Sequence, residues 1–347
     1  MSTGVKINEL PSGNFNAKVF DYTDASGKRH YKSITAPSKR EVKKLIADFL
    51  SARDEKKSSV PDMTVGEAID KYIQIKNNVL SPSTIKGYKK IYRCNLQGIM
   101  NIKINSLTAE DVQIEINKEA ASHSPKTIRN MHGLLSSALS LYLPDFMLKT
   151  TLPKKVKTDI KIPTEAEVKQ ILKAVNNTEM EIPLYLAAIC GLRASEISAL
   201  KWSDIDLENE KLTVRKAVVL NVENEYVEKH TKTTASKRTI RIFAPVLEVL
   251  NKSPQKDGRI TQITPQNIYK KFISVLEKQN LPHYRLHDLR HYTVSVMLML
   301  NIPKKYIADY VGHESEKMID EVYGHIMQEA KDDFMDIANK RFSTLIT

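Results

Sequence analysis

The chain has 347 residues, and its 53 Lys and Arg against 41 Asp and Glu give a formal net charge of +12. This length exceeds one ordinary hydrophobic core and predicts two or three domains, and the positive charge favours nucleic acid over an anionic membrane as partner. The sequence has no apolar run near about 20 residues, no signal-peptide pattern and only two cysteines. These features predict a protein of the cytoplasm.

Strand patterns alternate with turn residues at the N-terminus. Residues 5–10, 15–22 and 28–35 are predicted antiparallel strands, because turn residues separate them at 11–14 and 24–27. Ser38 and Glu41 then have the spacing of a capping box and predict a helix. We expect residues 1–57 to form three strands packed on one helix.

Basic residues on these strands make the N-terminal module a candidate DNA-binding domain. Lys18, Arg29 and Lys32 lie on the predicted strands, where they could face a groove of DNA. The alternative is an ordinary solvated surface, on which such charges have no partner.

A helical domain is predicted at residues 64–150, after a polar linker. Helix starts are marked by Thr64 with Glu67, Ser81-Pro82, Thr108 with Asp111, and Ser124-Pro125. The polar faces of these helices carry six candidate DNA-binding residues, namely Lys86, Lys89, Lys90, Arg93, Lys126 and Arg129. Charged helix faces are more often simply solvated, so this signal alone is weak.

A third and largest domain is predicted at residues 160–347, opened by a capping box at Thr164 and Glu167. Helical patterns dominate it, and residues 211–218, 224–228 and 239–243 alternate as strands of one small antiparallel sheet. The predicted fold class is therefore mainly α with small antiparallel sheets.

The residues with the clearest chemistry lie in this third domain. Residues 285–291 read Arg-Leu-His-Asp-Leu-Arg-His, and they are followed by Gly312-His313 and by Tyr323. A guanidinium, imidazoles and a phenol suit the task of holding a phosphodiester while the phenol attacks it. A second arginine, Arg193, lies upstream in Gly-Leu-Arg-Ala-Ser-Glu at residues 191–196.

In this order and spacing, the motifs resemble those of the tyrosine recombinases, the family of phage integrases and related site-specific recombinases. Residues 191–206 resemble the first arginine box of the family, and residues 287–291, 312–313 and 323–325 resemble the second. Residues 231–240 resemble the hairpin that carries the catalytic lysine. The resemblance covers nearly the whole chain.

The resemblance implies a role for each of these side chains. Arg193 and Arg290 would clamp the non-bridging oxygens of the scissile phosphate, and His313 would add a third donor. Tyr323 would be the nucleophile, with His287 helping to take its proton.

Lys232 would protonate the leaving 5′ oxygen to give a free 5′ hydroxyl, and the other product would be a 3′-phosphotyrosine. No cofactor, metal or ATP is expected. Glu196 is expected to support the site through hydrogen bonds.

Several alternatives remain at the level of sequence. Lys237 and Arg238 share the hairpin of Lys232, and Tyr292, Tyr306 and Tyr310 compete with Tyr323, although their spacing suggests packing. His287 and His291 have a spacing that also suits zinc, but Arg290 lies between them and no third ligand is near, so we expect His291 to be a structural, supporting residue. Arg193 could also be an ordinary surface ion-pair residue.

These observations predict the integrase of a phage or integrative mobile element. Residues 1–57 would bind arm sites, 64–150 core sites, and 160–347 would recombine two duplexes through a Holliday junction within a homotetramer. Further expected partners are an excisionase and a host DNA-bending protein, and the expected location is the bacterial cytosol at the nucleoid.

The rival functions are a chromosome-dimer resolvase, a type IB topoisomerase and a catalytically silent DNA-binding regulator. The apolar residues after Tyr323 predict a tail helix, which we expect to dock on a neighbouring protomer.

Overall fold

The computed structural model describes residues 5–23, 29–58, 61–143, 148–156, 160–230, 237–254, 256–313, 315–317, 319–320 and 323. The chain divides into two compact units, residues 1–157 and 158–347. The described residues are mostly helical with small antiparallel sheets, which confirms the predicted fold class. The further division of the first unit into two domains stays a prediction. None of the described helices is long and apolar enough to cross a membrane.

The first unit begins with a three-stranded antiparallel sheet in the order β1-β2-β3. The strands are β1 (Ile7–Glu9), β2 (Phe15–Thr23) and β3 (Arg29–Ala36), and helix α1 (Lys39–Ser58) follows them. Alternate residues of β2 and β3 are buried with one side of α1, so the sheet has one covered face. The strands and the helix lie where the sequence predicts them.

Four helices make up the rest of the described secondary structure of this unit: α2 (Val65–Lys76), α3 (Pro82–Cys94), α4 (Ala109–Ala120) and α5 (Pro125–Leu139). Thr64 and Thr108 form complete capping boxes with Glu67 and Asp111. Because each box satisfies two backbone N–H groups that have no partner inside the helix, it determines where the helix starts.

The second unit contains eight helices and five strands among its described residues. The helices are α6 (Glu165–Ala174), α7 (Glu181–Ala188), α8 (Ala194–Ile197), α9 (Ala244–Lys252), α10 (Pro265–Lys278), α11 (Leu286–Met299) and α12 (Lys304–Val311), with a 3₁₀ helix at Trp202–Asp204. The strands are β4 (Ile205–Asp206), β5 (Lys211–Val214), β6 (Lys216–Leu220), β7 (Tyr226–His230) and β8 (Arg238–Arg241). The apolar helix α7 is buried against α9 and α11 at the centre.

The single predicted sheet of this unit is two sheets in the structure. Strands β4, β5 and β8 form one antiparallel sheet, and β6 and β7 form a separate hairpin. The predicted strand at residues 211–218 breaks at Arg215, where the chain leaves one sheet and enters the other. Leu212, Val214 and Val218 have the same parity on both sides of the break, so the sequence pattern did not reveal it.

The start of α6 is joined to the loop before α11 by one carboxylate. Glu167 accepts hydrogen bonds from the backbone N–H of Thr164 at 2.7 Å and from the buried Tyr284 hydroxyl at 2.9 Å. Burial and this carboxylate raise the pKa of Tyr284 to about 12, so the phenol remains a donor across the physiological range. Glu167 therefore serves both as a helix cap and as a tertiary contact.

We expect Glu167→Ala to lower the free energy of unfolding of the second unit by about 2 kcal/mol, since it removes a cap and leaves a buried hydroxyl unpaired. Trp202, the only tryptophan of the chain, lies buried in this unit and reports its unfolding in urea by fluorescence. Glu165→Ala is the matched control on the same helix, because the ion pair of Glu165 with Lys169 is exposed. Equal losses for the two variants would contradict the prediction.

Candidate active site

The first arginine of the site stands at a turn that requires glycine. Gly191 adopts a φ of +63°, and a Cβ there would come within 3.3 Å of Val311. The turn places Arg193 at the N-cap of α8, where its backbone N–H donates to Glu196 at 3.0 Å. The Arg193 side chain is 36% exposed, so its guanidinium is accessible from solvent.

The carboxylate of Glu196 joins two arginines from distant parts of the chain. It accepts from Arg193 Nη1 at 2.8 Å, and from Arg238 Nη2 at 3.1 Å and Nη1 at 3.3 Å. Burial alone would raise the pKa of Glu196, but the adjacent Arg238 and Arg193 outweigh it and lower the pKa to about 2. The expectation that Glu196 supports the site through hydrogen bonds agrees with these contacts.

Arg238 is a site residue that the sequence did not single out. Its side chain is buried, and Nε donates to the carbonyl of Tyr310 at 2.8 Å. Gly312 follows with a φ of +72°, and a Cβ there would come within 2.8 Å of Arg238 Nη1. Arg193 Nη2 donates to the Gly312 carbonyl at 3.2 Å. Both arginines therefore hold the turn that presents His313.

The second predicted clamp arginine, Arg290, lies on α11 and is only 1% exposed. Nη1 donates to the Gly191 carbonyl at 2.7 Å, whereas Nε and Nη2 are buried without a hydrogen-bond partner in the described part of the chain. Burial, and then the neighbouring Arg193, lower the pKa of Arg290 to about 9. Two buried donors on a cation are an unfavourable arrangement that an anion would relieve.

Arg285, at the N-cap of the same helix, has a different environment. Its guanidinium pairs with Asp288 at 2.7 Å, and its backbone N–H donates to the same carboxylate. Arg285 is therefore a helix-capping residue and is not part of the proposed clamp.

His313 lies beside the two clamp arginines. Its ring is buried, and Nδ1 has no hydrogen-bond partner among the described residues. Burial, and then Arg290 and Arg193, lower the pKa of His313 to about 3, which makes it neutral at pH 7. A neutral imidazole next to two cations can donate one hydrogen bond to a phosphate oxygen without adding a third charge.

Tyr323 is fully buried, and its hydroxyl is in hydrogen-bond contact with Nδ1 of His291. We expected His287 at this position and His291 in a purely supporting role. The structure instead places the ring of His287 against that of His291, edge to face with centroids 5.0 Å apart, and leaves His287 exposed. Burial raises the pKa of Tyr323, with Arg290 acting in the opposite direction.

The competing tyrosines are engaged elsewhere or lie on the surface. The Tyr310 hydroxyl donates to the Arg241 carbonyl at 3.0 Å, and Tyr306 is 66% exposed. Lys232 and the predicted tail after Tyr323 lie outside the described residues, so their roles stay predictions. The residues that the structure describes contain no group of three His, Cys, Asp or Glu side chains arranged to hold a metal ion.

Two of the three basic residues predicted for the N-terminal sheet share its uncovered face. Lys18 pairs with Ser33 across the strands, and Arg29 has the same parity in β3 as Ser33, so both point away from α1. Lys32 points the other way, and its ammonium lies 4.7 Å from the Phe49 ring centroid of α1. Lys32 therefore does not share the uncovered face with Lys18 and Arg29, and DNA binding by the three residues stays a prediction.

The basic residues of the helical part also differ from one another. Lys90, Arg93 and Lys126 are exposed, and Lys86 and Lys89 are partly buried along α3. Arg129 is held within the unit, because its Nη2 donates to the Pro153 carbonyl at 2.8 Å. Arg129 therefore has a structural role in holding the segment after α5, and this role explains its position as well as a DNA contact would.

Residues 162–330 match the phage integrase family. The chain is 21% identical to the XerC-like tyrosine recombinase of Caldanaerobacter subterraneus subsp. tengcongensis, over 97% of this chain and 99% of that protein. It is 24% identical to the integrase of Staphylococcus phage L54a, over 78% of this chain and 91% of the phage protein.

Among solved structures, the Tn1549 transposon integrase in complex with transposon right end DNA superposes with a TM-score of 0.67 at 19% identity, over 79% of this chain and 99% of that one. A lambda integrase dimer bound to a COC′ core site gives a TM-score of 0.55 at 17% identity, over 91% and 93%. At such identities, these structures establish the shared fold.

We expect Arg238→Ala to lower the free energy of unfolding of the second unit by about 3 to 5 kcal/mol, because Glu196 loses its most buried partner. Urea titration followed by Trp202 fluorescence measures this loss. Arg241→Ala on the same strand is the matched control. Its ion pair with Glu210 is exposed, so it should lose at most about 1 kcal/mol. Similar losses for the two variants would show that the buried pair adds no stability.

Acid should destabilise the second unit before its carboxylates titrate. The pKa values of His291 and His313 are about 4 and about 3 in the folded chain, below the usual value of about 6.5. The stability they contribute is therefore complete above about pH 6.5 and is lost as the pH falls towards 4, because the unfolded chain takes up the protons first. Urea midpoints between pH 8 and pH 4.5 should fall accordingly. His313→Asn should flatten this dependence, and an unaltered dependence in this variant would contradict the prediction.

Proposed function

Because residues 162–330 match the phage integrase family, we propose that the chain is a site-specific DNA recombinase that cuts and rejoins strands through a covalent 3′-phosphotyrosine. The observation that carries the proposal is Arg290, a buried guanidinium with two donors that have no partner among the described residues. A phosphodiester oxygen is the acceptor that such a forked cation fits best.

The proposed clamp combines complementary features of two arginines. Arg290 is rigid and buried, and Arg193 is partly exposed and oriented by Glu196. Together they would bind the non-bridging oxygens and stabilise the charge that grows on them as a fifth oxygen approaches phosphorus. His313, neutral and adjacent, would donate a further hydrogen bond.

In the proposed cleavage step, the Tyr323 oxygen forms a bond to phosphorus and the bond from phosphorus to the 5′ oxygen breaks. The phenol gives up its proton, and the leaving oxygen takes one from Lys232. The phosphotyrosine ester conserves the energy of the broken phosphodiester bond. The 5′ hydroxyl of another strand can therefore attack this ester, rejoin the DNA and release Tyr323. No nucleotide hydrolysis is needed for such an exchange.

We assign the reaction to integration of a phage or mobile element. The relatives named integrase and the Tn1549 integrase structure support this assignment. Lys18 and Arg29 on the uncovered sheet face would contact arm-type sites, and Lys90, Arg93 and Lys126 would contact core-type sites. The recombining species would be a homotetramer in the bacterial cytosol that forms a Holliday junction, with an excisionase and a host DNA-bending protein as accessory partners.

The experiment is covalent adduct formation in EDTA on nicked duplexes that span the DNA flanking the gene. The nicked fragment diffuses away after cleavage, so a protein–DNA adduct should accumulate with the wild type and be absent with Tyr323→Phe. Arg290→Ala should slow the step by a factor on the order of 10² to 10³, because it removes donors to the developing charge.

Arg241→Ala is the matched control, since the ion pair of Arg241 with Glu210 is exposed and its loss should leave adduct formation near the wild-type rate. An adduct that persists with Tyr323→Phe would exclude Tyr323 as the nucleophile. Failure of the wild type to cleave, on DNA that it binds, would count against a recombinase.

A further inference from the structure

The hydroxyl of Tyr323 is aligned with one particular nitrogen. Nδ1 of His291 is in hydrogen-bond contact with it, and the two rings are tilted by 52° with centroids 5.6 Å apart. Both residues are buried, at 0% and 8% exposure. The contact is therefore made away from bulk water, where a single acceptor determines what happens to the phenol proton.

The position of His291 is determined by its helix and not by Tyr323 alone. Ser295 Oγ donates to the His291 carbonyl at 2.9 Å, one turn further along α11, and the His287 ring packs edge-on against the imidazole. The Ser295 bond holds only the backbone, whereas the edge-on contact with His287 helps to keep the imidazole turned towards residue 323.

The charges around His291 keep it neutral. Burial, and then Arg285 and Arg290, lower its pKa to about 4, while Asp288 acts in the opposite direction. The other titratable groups that face it are His287, His313 and the Tyr323 phenol. With the ring proton on Nε2, Nδ1 is an acceptor at neutral pH, and a phenol with a raised pKa is the donor that needs one.

We propose that His291 is a catalytic residue, the group that takes the proton of Tyr323 during strand cleavage and returns it during rejoining. This inference rests on the recombinase function proposed above. As the Tyr323 oxygen bonds to phosphorus, its O–H bond breaks and the proton moves to Nδ1 of His291. The electron pair of the breaking P–O bond leaves with the 5′ oxygen, which is protonated separately by Lys232.

His287 fits the role less well because it is exposed and meets the His291 ring edge to face. Its ring can hold His291 in place, or contact DNA, without touching the phenol. A phosphate bound at Arg290 would neutralise one of the charges that lower the His291 pKa, so substrate binding would make His291 a stronger base.

The test is single-turnover adduct formation by the full chain on the nicked duplex, from pH 5.5 to pH 9.5. His291→Asn keeps an acceptor near the Nδ1 position but cannot take a proton at these pH values. Its rate at pH 7 should fall by a factor on the order of 10², with DNA affinity unchanged, and the deficit should shrink as the pH rises. His283→Asn is the matched control, because it makes the same substitution at an exposed histidine outside this cluster, and its rate should stay within threefold of the wild type.

Two further readouts separate proton transfer from packing. A fluorotyrosine installed at position 323 has a more acidic phenol, so it should recover most of the rate that His291→Asn loses. A substrate with sulfur at the bridging 5′ position, whose leaving group needs no proton, should not recover it. His291→Gln provides a second variant, and Trp202 fluorescence in urea confirms that each variant is folded.

Each outcome is decisive. A His291→Asn rate within threefold of the wild type, or a deficit that is the same at every pH and with fluorotyrosine, would overturn the assignment and leave His291 a packing residue. Recovery by the sulfur substrate would place His291 at the leaving group and would also overturn it. An inactive wild type would instead defeat the proposed function, and the inference with it.

Discussion

The buried carboxylate of Glu196 is the interaction on which the arrangement of the site depends. It is shared by Arg193 of the α8 start and Arg238 of β8, and these arginines also bind the carbonyls of Gly312 and Tyr310. A lone carboxylate would be very unfavourable at this depth, so it requires both cations. Three segments that are far apart in sequence therefore meet at one point, and the turn before His313 is one of them.

Around this point, the protein gathers more positive charge than its own described groups neutralise. Arg290 keeps two donors without a partner among the described residues, and the pKa values of Arg290 and His313 are lowered by burial and by the neighbouring arginines. Buried polar groups in folded proteins normally have partners, and the exceptions tend to lie where a ligand binds. The electrostatic cost of assembling these groups is thus the property that would make the proposed site receptive to a phosphate.

Signals confined to a few neighbouring residues predicted local structure well. The capping boxes at Thr64, Thr108 and Thr164 involve side chains three positions apart, so the helix starts could be read directly. Contacts between distant segments left no such trace. In the sequence, Arg238 is one of several basic residues on a hairpin, and nothing there indicates its contact with Glu196. Similarly, the contact of Tyr323 with His291, and not with His287, depends on how residue 323 packs against α11. The orientation of Lys32, by contrast, could have been predicted from the sequence. Lys32 and the apolar Ile34 are two residues apart in one strand, so both point to the covered face of the sheet.

The proposed clamp and the proposed base occupy a single turn of α11. Arg290 and His291 are adjacent in sequence, yet they point to different groups, one to the Gly191 carbonyl and the other to the Tyr323 hydroxyl. Because the helix is rigid, the phosphate position and the phenol position are set against the same backbone. Burial, and then the charges of Arg285 and Arg290, lower the pKa of His291, so the imidazole is a weak base and the phenol stays protonated. In the proposed mechanism, a phosphate bound at Arg290 would offset one of these charges, so Tyr323 would become activated only when its target is in place.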